Sequence, residues 1–380
     1  MRVRPLSYKI TPDCVGDTVT FSLSRPRNLS VEVNGDIFHN LHLFANPIDK
    51  FRPSDKEIQR ALKKKKGSNL IYFGPGVHNL PNDTLFVPSG TTVYIDGGAR
   101  VYGNIFTEGA HDVNIFGRGE VHPDGRGAGV WVRRSKNVRI DGIVVSQLPI
   151  GQCDSVELTN VKSISYYGWG DGMDVFSSSN VILDGVFCRN SDDCAAVYAS
   201  TQGFKGGSNN VLVKNATLWA DVAHPINIGG HGDPNGMDTV QNVTFRNIDI
   251  LDQAEKQIDY QGCLAINPGD NTLVRNITFE NIRIEDFRNG QLVNFRISFN
   301  PKYCVSTGRG IQNVLVKDVT YNGSGENLSI IAGYDENHKI SGIRFVNLVV
   351  NGRKITDDMP GKPKWYKTGD MAGICLLYTS

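Results

Sequence analysis

The sequence lacks long hydrophobic runs and any excess of charge of one sign. No stretch approaches about 18 consecutive apolar residues, so a membrane-spanning helix is not expected. The 40 Lys and Arg against 39 Asp and Glu give a formal net charge of +1, which argues against a basic surface for nucleic acid or an anionic membrane. The first residues, MRVRPLSYKITPDC, contain no apolar core of about 7–15 residues, so we expect no signal peptide in this chain.

Cysteines and helical patterns are also sparse. The seven cysteines are widely spread and form no C-x-x-C pair, so we expect most of them to be buried thiols; one bridge remains open, but not a disulfide framework. Patterns rich in Ala and Leu are scarce, whereas Gly accounts for 41 of 380 residues, about 11% against a usual ~7%. This composition predicts an all-β chain with many turns.

One short pattern recurs through most of the chain. Each copy begins with a polar residue or Gly, continues with Val or Ile, and then alternates apolar positions. The copies start at Asp112, Asn137, Ser155, Asn180, Asn210, Asn242, Asn276, Asn313 and Gly342. Each copy is typical of two short strands, bent at a central Asn, Asp or Gly and followed by a loop of variable length. One such unit cannot bury its apolar face alone, whereas stacked units build a continuous core.

These repeats predict a right-handed parallel β-helix solenoid. Leucine-rich repeats would need an L-x-x-L-x-L pattern, and propeller blades would need about 40–50 residues. We expect residues 1–50 to form a short N-terminal β-strand segment, a partial β-sandwich, and residues 51–365 to form the β-helix catalytic domain. Within it, residues 56–66 are a helix candidate that caps the N-terminal end. Residues 366–380 are expected to be an irregular tail with a non-native end.

Two adjacent aspartates interrupt an otherwise apolar stretch, NSDDCAAV, at Asp192 and Asp193. Asp171, in GWGDGMDV, lies 21 residues before Asp192, which is about one β-helix turn. Stacked coils lie about 4.8 Å apart, so three carboxylates are expected to meet on one edge. Such a cluster titrates as a coupled set, in which one acid retains its proton beside ionised neighbours. That arrangement suits inverting glycoside hydrolysis, for which the two carboxyl groups are about 6.5–9.5 Å apart.

Other interpretations of the cluster remain open. The aspartates could form a Ca²⁺ site, which would need further oxygen ligands, or be polar turn residues. A β-helix glycan-binding protein with vestigial aspartates and a calcium-dependent lyase are the rival functions. The second Asp-Asp pair, in ITDDMP at 355–360, lies in a polar tail and carries no such expectation.

The sequence GDGMDV…SSSNV…NSDDCAAV resembles the N-T-D-G-x-D…D-D-C-x-A signature of glycoside hydrolase family 28, the polygalacturonases. It also resembles family 49, the dextranases and isopullulanases, which share this pectin-lyase-like β-helix and carry a β-sandwich in front of it. The resemblance covers roughly residues 65–350. It implies that Asp192 is the general acid, that Asp171 and Asp193 hold the nucleophilic water, and that no metal or cofactor is needed.

The chain departs from the family 28 pattern at two places. Where that family has G-H-G, this chain has AHPINIGGHGD, so His224 and His231 are candidates to orient an aspartate or to contact sugar. The family's R-I-K motif, which binds the galacturonate carboxylate, is absent: no Arg or Lys lies between Cys263 and Thr272. Without that charge pair we expect a neutral polysaccharide, preferably an α-glucan; a polygalacturonase-type pectin hydrolase is the alternative.

Aromatic residues near the aspartates are candidates to contact the substrate, although some of them are expected to be core residues, because aromatic side chains also stack inside β-helices. Trp169 and Tyr198, which are closest in sequence to the trio, are predicted to face the groove, and Asp174 is a further substrate-binding candidate. The other aromatic candidates are Tyr166, Tyr167, Trp219 and Tyr260. A polymeric substrate implies an extracellular or periplasmic location, whereas the oligomeric state is left open.

Overall fold

The computed structural model describes residues 1–63, 67–324, 327–377 and 379. Most of them form a right-handed parallel β-helix, as predicted: each strand pairs in parallel with the equivalent strands one coil before and one coil after it. Residues 64–66, the end of the predicted helix, and residues 378 and 380 of the predicted tail lie outside the described residues.

Three sheets run along the solenoid. The first, here called the groove sheet, contains the strands Val130–Arg133, Ile150–Gly151, Met173–Phe176, Ala195–Tyr198, Ile226–Ile228, Leu264–Ile266, Val293–Arg296, Ser329–Ala332 and Ile374–Leu377. The second sheet contains Leu70–Phe73, Thr92–Ile95, His111–Gly117, Lys136–Asp141, Asp154–Thr159, Ser179–Asp184 and Asn209–Lys214. The third sheet contains Glu120–His122, Val144–Val145, Lys162–Ile164, Phe187–Asn190 and Thr217–Ala220.

Longer strands connect neighbouring sheets. Those that pass from the second sheet into the third are Thr239–Asp252, Leu273–Ile284, Gly310–Tyr321 and Ile340–Val350. Those that pass from the third sheet into the groove sheet are Gly76–Phe86 and Ala99–Glu108.

The repeat pattern reflects a recurring left-handed backbone position. All nine repeat starts have φ between 55° and 69°, a region that Asn, Asp and Gly adopt more readily than other residues. The central bends are also left-handed, at Gly142, Asn160, Gly185, Asn215, Asn247, Asn281, Asp318 and Asn347. The Asn side chains also bond along the axis: Asn276 Nδ2 donates to Asn242 Oδ1 at 3.2 Å, and Asn242 Nδ2 donates to Asn209 Oδ1 at 2.8 Å. The asparagines therefore both bend each coil and connect it to the next.

The N-terminal segment forms one three-stranded antiparallel sheet, not a partial sandwich. Its strands are Arg2–Arg4, Arg27–Glu32 and Leu41–Ala45, and a separate hairpin joins Asp13–Val15 to Thr18–Thr20. The segment lies against the flank of the solenoid, where Arg4 Nε donates to Glu285 Oε2 at 2.7 Å and Arg189 Nη1 donates to Asn40 Oδ1 at 2.6 Å. The solenoid thus takes the place of a second sheet.

The two ends of the solenoid are covered by short elements. The helix prediction is confirmed for Asp55–Leu62, which begins with a Ser54–Glu57 capping box and packs on the first strand of the second sheet. The expectation of an irregular tail is wrong for Ile374–Leu377, which pairs in parallel with Ser329–Ala332 and extends the groove sheet. The remaining elements are Leu6–Tyr8, Ile258–Tyr260 and Thr368–Ala372, which are 3₁₀ helices, and the strand Arg353–Lys354.

The structure can be compared with two further predictions, that most cysteines are buried thiols and that a membrane-spanning helix is not expected. All seven cysteines are free thiols, and five of them are buried. In the part of the chain that the structure describes, no helix has the length and apolar character needed to cross a bilayer.

Stacked apolar side chains hold successive coils together. A substitution in the aromatic stack of Phe245, Phe279 and Phe295 tests this. The ring of Phe279, which is fully buried, lies 5.8 Å from that of Phe245 and 5.9 Å from that of Phe295. We expect Phe279→Ala to lower the free energy of urea unfolding by about 3–5 kcal/mol, because it leaves a cavity between two rings. The control Thr278→Ala, at a partly exposed position of the same strand, should change it by about 0.5 kcal/mol or less. Equal losses in both variants would contradict the stacking argument.

Candidate active site

Loops on both sides of the groove sheet form a groove above it. The entry loops lead into the groove sheet; they are residues 165–172, 191–194, 221–225 and 253–263. The exit loops lead out of it toward the second sheet; they are residues 199–208, 229–238, 267–272 and 297–309. The three aspartates and His224 all lie in entry loops, just before their strands begin.

The structure brings the three predicted aspartates together. Asp171, Asp192 and Asp193 each have a carboxylate oxygen within 4.8 Å of those of the other two. Stacking of the entry loops causes this proximity: Gly172 N–H donates to Asp193 O at 2.7 Å, one coil away. A Cβ on Gly172 would lie 2.2 Å from Cys194 O, so only glycine fits beside Asp171. The closest oxygens are nearer than the separation of about 6.5–9.5 Å that we expected for an inverting pair of carboxyl groups.

Asp193 is the buried member of the trio, and both of its oxygens are fully used. Oδ1 accepts from the backbone N–H of His224 at 3.0 Å and from its Nδ1 at 2.7 Å. Oδ2 accepts from the Tyr198 hydroxyl at 2.5 Å and from Asn227 Nδ2 at 2.8 Å. These four bonds use the roughly four acceptor sites of a carboxylate.

The environments of the aspartates push their pKa values apart. Burial opposes ionisation of Asp193, but the charge of His224 and the hydrogen bonds that Asp193 accepts hold its pKa below the usual value. Burial raises the pKa of Asp192 to about 8, and the charges of Asp193 and Asp171 add to this rise. Burial, then the charge of Asp193, raises the pKa of Asp171 to about 7. One carboxylate is thus held ionised beside two acids with raised pKa values, of which Asp171 ionises before Asp192 as the pH rises.

His224 is completely buried and makes no direct contact with the groove. Burial works against its charge, yet the nearby Asp193 carboxylate holds its pKa above the usual value. Its ring packs edge-on against Tyr260, with ring centroids 4.4 Å apart. Of the two predicted roles, orienting an aspartate is therefore the one that its position allows. His231, which is partly exposed, packs edge-on against Tyr198 at 5.0 Å.

The structure buries three of the candidate substrate contacts. Asp174 is only 4% exposed, and burial together with the charges of the trio raises its pKa well above the usual value. Tyr198 is 5% exposed because its ring packs against Phe176 and its hydroxyl donates to Asp193, so it offers no stacking face. Trp219 is fully buried below the N-terminal segment, where the Arg189 guanidinium lies 4.1 Å from its ring.

The other aromatic candidates lie in entry loops and are exposed or partly exposed. Trp169 is 66% exposed and Tyr166 is 87% exposed, both in the first entry loop. Tyr167 is held by hydrogen bonds between its hydroxyl and the backbone of Gly127. Tyr260 is partly exposed, and its hydroxyl accepts from Asn227 Nδ2 at 3.0 Å.

Two site residues were not identified from the sequence. Asn227 lies between the inward-facing Ile226 and Ile228, and this alternation could have placed it on the groove face. Lys302 comes from an exit loop: its Nζ lies 5.9 Å from the centre of the Trp169 ring, and it is close enough to Asp192 for their charges to interact. No local sequence signal connects Lys302 to the aspartates.

The trio has the residue types of a cation site, but its donors fit calcium poorly. Calcium takes about 6–8 oxygen ligands. Asp193 has already used its acceptor sites on four hydrogen-bond donors, and the cationic form of His224 is favoured beside it. The mechanism below therefore uses no metal.

The fold and the site define a β-helix protein of the carbohydrate-hydrolase type, and the comparisons name the family. Residues 129–359, more than half of the chain, match the model of glycosyl hydrolases family 28. The chain belongs to this family. It is 26% identical over 295 residues to a polygalacturonase from Juniperus ashei, covering 69% of this chain and 54% of that protein. The chain spans about half the length of the curated relatives it matches.

Solved structures share the fold. A family 28 exopolygalacturonase from Yersinia enterocolitica has a TM-score of 0.59 at 13% identity, covering 95% of this chain and 84% of that one. Dex49A from Penicillium minioluteum has the same TM-score and identity, covering 100% of this chain and 78% of that one. At these identities the likeness concerns the fold alone.

The buried His224–Asp193 pair predicts a pH-dependent effect on stability. In His224→Ala, Asp193 becomes a buried carboxylate without its counter-charge, so we expect a loss of about 3–5 kcal/mol in unfolding free energy at pH 6. The loss should be smaller at pH 4. In the native protein the contribution of Asp193 is lost only below its unfolded pKa, because its folded-state pKa is lowered. In the variant the buried Asp193 lacks its counter-charge and takes up a proton as the pH falls from 6 to 4, which relieves the cost of burying its charge. Chemical unfolding at both pH values measures this.

The chain provides a matched control. His338 and Asp335 form a pair of similar length, 2.8 Å between Nδ1 and Oδ1, with side chains that are 33% and 45% exposed. His338→Ala should cost about 1 kcal/mol or less. If His224→Ala were as mild as His338→Ala at pH 6, the buried pair would not hold Asp193 ionised.

Proposed function

We propose that this protein hydrolyses glycosidic bonds of a uronic-acid polysaccharide of the polygalacturonan type, with inversion. The observation that carries the proposal is Asp192, a partly exposed carboxylic acid with a pKa raised to about 8, held beside the buried and ionised Asp193. A protonated acid beside an ionised carboxylate is what glycosidic cleavage requires. A polymeric substrate also makes an extracellular or periplasmic location part of the proposal.

The resemblance to family 28, rather than the spacing of the carboxyl groups, favours a single displacement, for which we propose the following roles. Asp192 donates its proton to the leaving glycosidic oxygen, and Asp171 in its ionised form accepts a proton from the attacking water. Asp193 does not attack the sugar, because its oxygens accept four hydrogen bonds and point no free lone pair at the groove. Its charge instead raises the pKa of the other two acids. This assignment differs from the sequence-based expectation that Asp193 helps to hold the water.

The second part of the proposal is that the substrate carries negative charge. The neutral-substrate prediction depended on the missing Arg and Lys between Cys263 and Thr272. Lys302, in a later exit loop, nevertheless lies close enough to Asp192 for their charges to interact. Arg133 and Arg134, which share the single carboxylate of Glu108, add positive charge to the groove sheet on its N-terminal side. Names of curated relatives such as the Juniperus protein, a polygalacturonase, also favour an acidic sugar.

The catalytic assignment predicts that Asp192→Asn lowers hydrolysis of polygalacturonate by at least about 100-fold, because the variant cannot donate the proton. The measurement is reducing-sugar release from polygalacturonate, dextran, pullulan and neutral galactan. The control Asp358→Asn, in the other Asp-Asp pair, should retain wild-type activity. A wild type active on dextran and inactive on polygalacturonate would restore the neutral-substrate prediction.

Further readouts separate the rival functions. Products with retained anomeric configuration, seen by proton NMR, would contradict the single displacement. Unsaturated products that absorb in the ultraviolet, formed only without a chelator, would indicate a calcium-dependent lyase. Polysaccharide binding unchanged by Asp192→Asn, with no hydrolysis by the wild type, would indicate a binding protein.

The proposed role of Lys302 predicts a charge-selective effect. Lys302→Gln removes a cation that faces the site, so we expect KM for polygalacturonate to rise about 3- to 10-fold with a smaller change in kcat. Initial rates at several polymer concentrations measure this. Lys136→Gln is the control, since that side chain is 63% exposed on the second sheet. Equal KM values for Lys302→Gln and the wild type would remove Lys302 from substrate recognition.

A further inference from the structure

One exit loop crosses the groove instead of lining one side of it. This bridging loop, residues 297–309, follows the strand Val293–Arg296. The ring of Tyr303 in the bridging loop stacks on that of Tyr260 in an entry loop, with centroids 5.1 Å apart and planes inclined by 21°. Lys302, its neighbour, lies 5.9 Å from the ring of Trp169 in another entry loop. Two contacts therefore join opposite walls of the groove.

The bridging loop is held in this position by its own contacts. The Cys304 thiol donates to Gly230 O at 3.3 Å. The backbone N–H groups of Val305 and Ser306 donate to Asp270 Oδ1 at 2.7 and 3.1 Å, and Asp270 is only 7% exposed. A Cβ on Gly308 would lie 2.5 Å from the backbone of Pro268, so the loop packs directly on the preceding exit loop. These bonds fix its base and leave Lys302 and Tyr303 over the groove.

On the N-terminal side of the trio, Phe204 of an exit loop covers the groove sheet at Phe176 and Ala196, and partly exposed aromatic side chains follow beyond it. Trp131 and Phe106 are partly exposed, and their rings stack at 6.4 Å; Phe86, 65% exposed, continues this stack at 5.5 Å. Arg133 lies beside the stack, its guanidinium 5.7 Å from the Trp131 ring. Trp131 lies three coils before the strand Ala195–Tyr198, which is about 14 Å at the coil spacing. An apolar and basic surface thus lies about three coils from the aspartates, toward the N-terminal end.

We infer that the bridging loop makes this protein a chain-end-acting hydrolase. One end of the polysaccharide enters beneath Lys302 and Tyr303, and the rest of the chain lies over Trp131 and Arg133. A polymer cannot lie across the trio in both directions, because the Tyr303–Tyr260 contact closes the groove on the C-terminal side. This inference names the mode of action and rests on the proposed function.

The wild-type protein alone provides the first test. At equal mass concentration of polygalacturonate fractions of different chain length, the initial rate of a chain-end enzyme follows the number of chain ends. We expect the rate to rise about in proportion as the chains become shorter, with the smallest product present from the first time point and viscosity falling slowly. Rates independent of chain length, with rapid loss of viscosity and a ladder of oligomers, would overturn the inference and leave the proposed function intact. No hydrolysis of any polysaccharide would overturn both.

Variants of the bridging loop provide the second test. Tyr303→Gly removes the ring contact with Tyr260, so internal cleavage should appear and the viscosity loss per reducing end should increase at least about 5-fold. Phe299→Ala, at a 44% exposed ring of the same loop, is the control and should keep the wild-type ratio. The ratio reports the cleavage pattern separately from the rate, so a slower variant can still be scored. An unchanged ratio in Tyr303→Gly would show that the loop does not restrict access.

Discussion

Parallel pairing of successive coils in register is the constraint on which the site depends. Met173 pairs with Ala195, and Ala195 with Ile226, so the loops that precede these strands are stacked one above the other. Backbone bonds continue the stacking into the loops, where Cys194 N–H donates to His224 O at 2.9 Å. The paired main chain thereby holds together three carboxylates whose charges repel one another. The free energy that offsets this repulsion comes from the hydrogen bonds between coils and from the buried apolar core. Left-handed asparagines at the coil bends keep that register through the solenoid.

Repulsion among the three carboxylates, together with their different surroundings, gives Asp193 a lower proton affinity than Asp171 and Asp192. A carboxylate buried without partners would take up a proton, but Asp193 is given a cationic neighbour and four donors. The charge of Asp193 in turn raises the pKa values of Asp171 and Asp192, which accept fewer hydrogen bonds and lie nearer to solvent. The same contacts that stabilise Asp193 therefore prepare a protonated acid at the groove surface.

Features that repeat along the chain could be predicted from the sequence, whereas features that depend on one loop could not. The β-helix and the meeting of Asp171 with Asp192 and Asp193 follow from a period that is visible in the residues. Tyr198 was misplaced because strand alternation gives the face of a side chain but not what lies above it, and here Phe204 covers the neighbouring surface. The position of Ile374–Leu377 was missed because pairing with Ser329–Ala332, not a local repeat, defines that strand.

The absence of a charge motif at one coil is weak evidence about substrate charge in a solenoid. Coils lie about 4.8 Å apart, whereas an extended loop of a dozen residues can reach over several of them. Lys302 is 110 residues after Asp192 in the sequence (302 minus 192), yet its loop crosses back to Trp169, which precedes both aspartates. Recognition of an acidic sugar needs a cation at the right place on the groove, and any coil within reach can supply it. The local motif constrains the catalytic acids more tightly, because they must meet within a few ångströms.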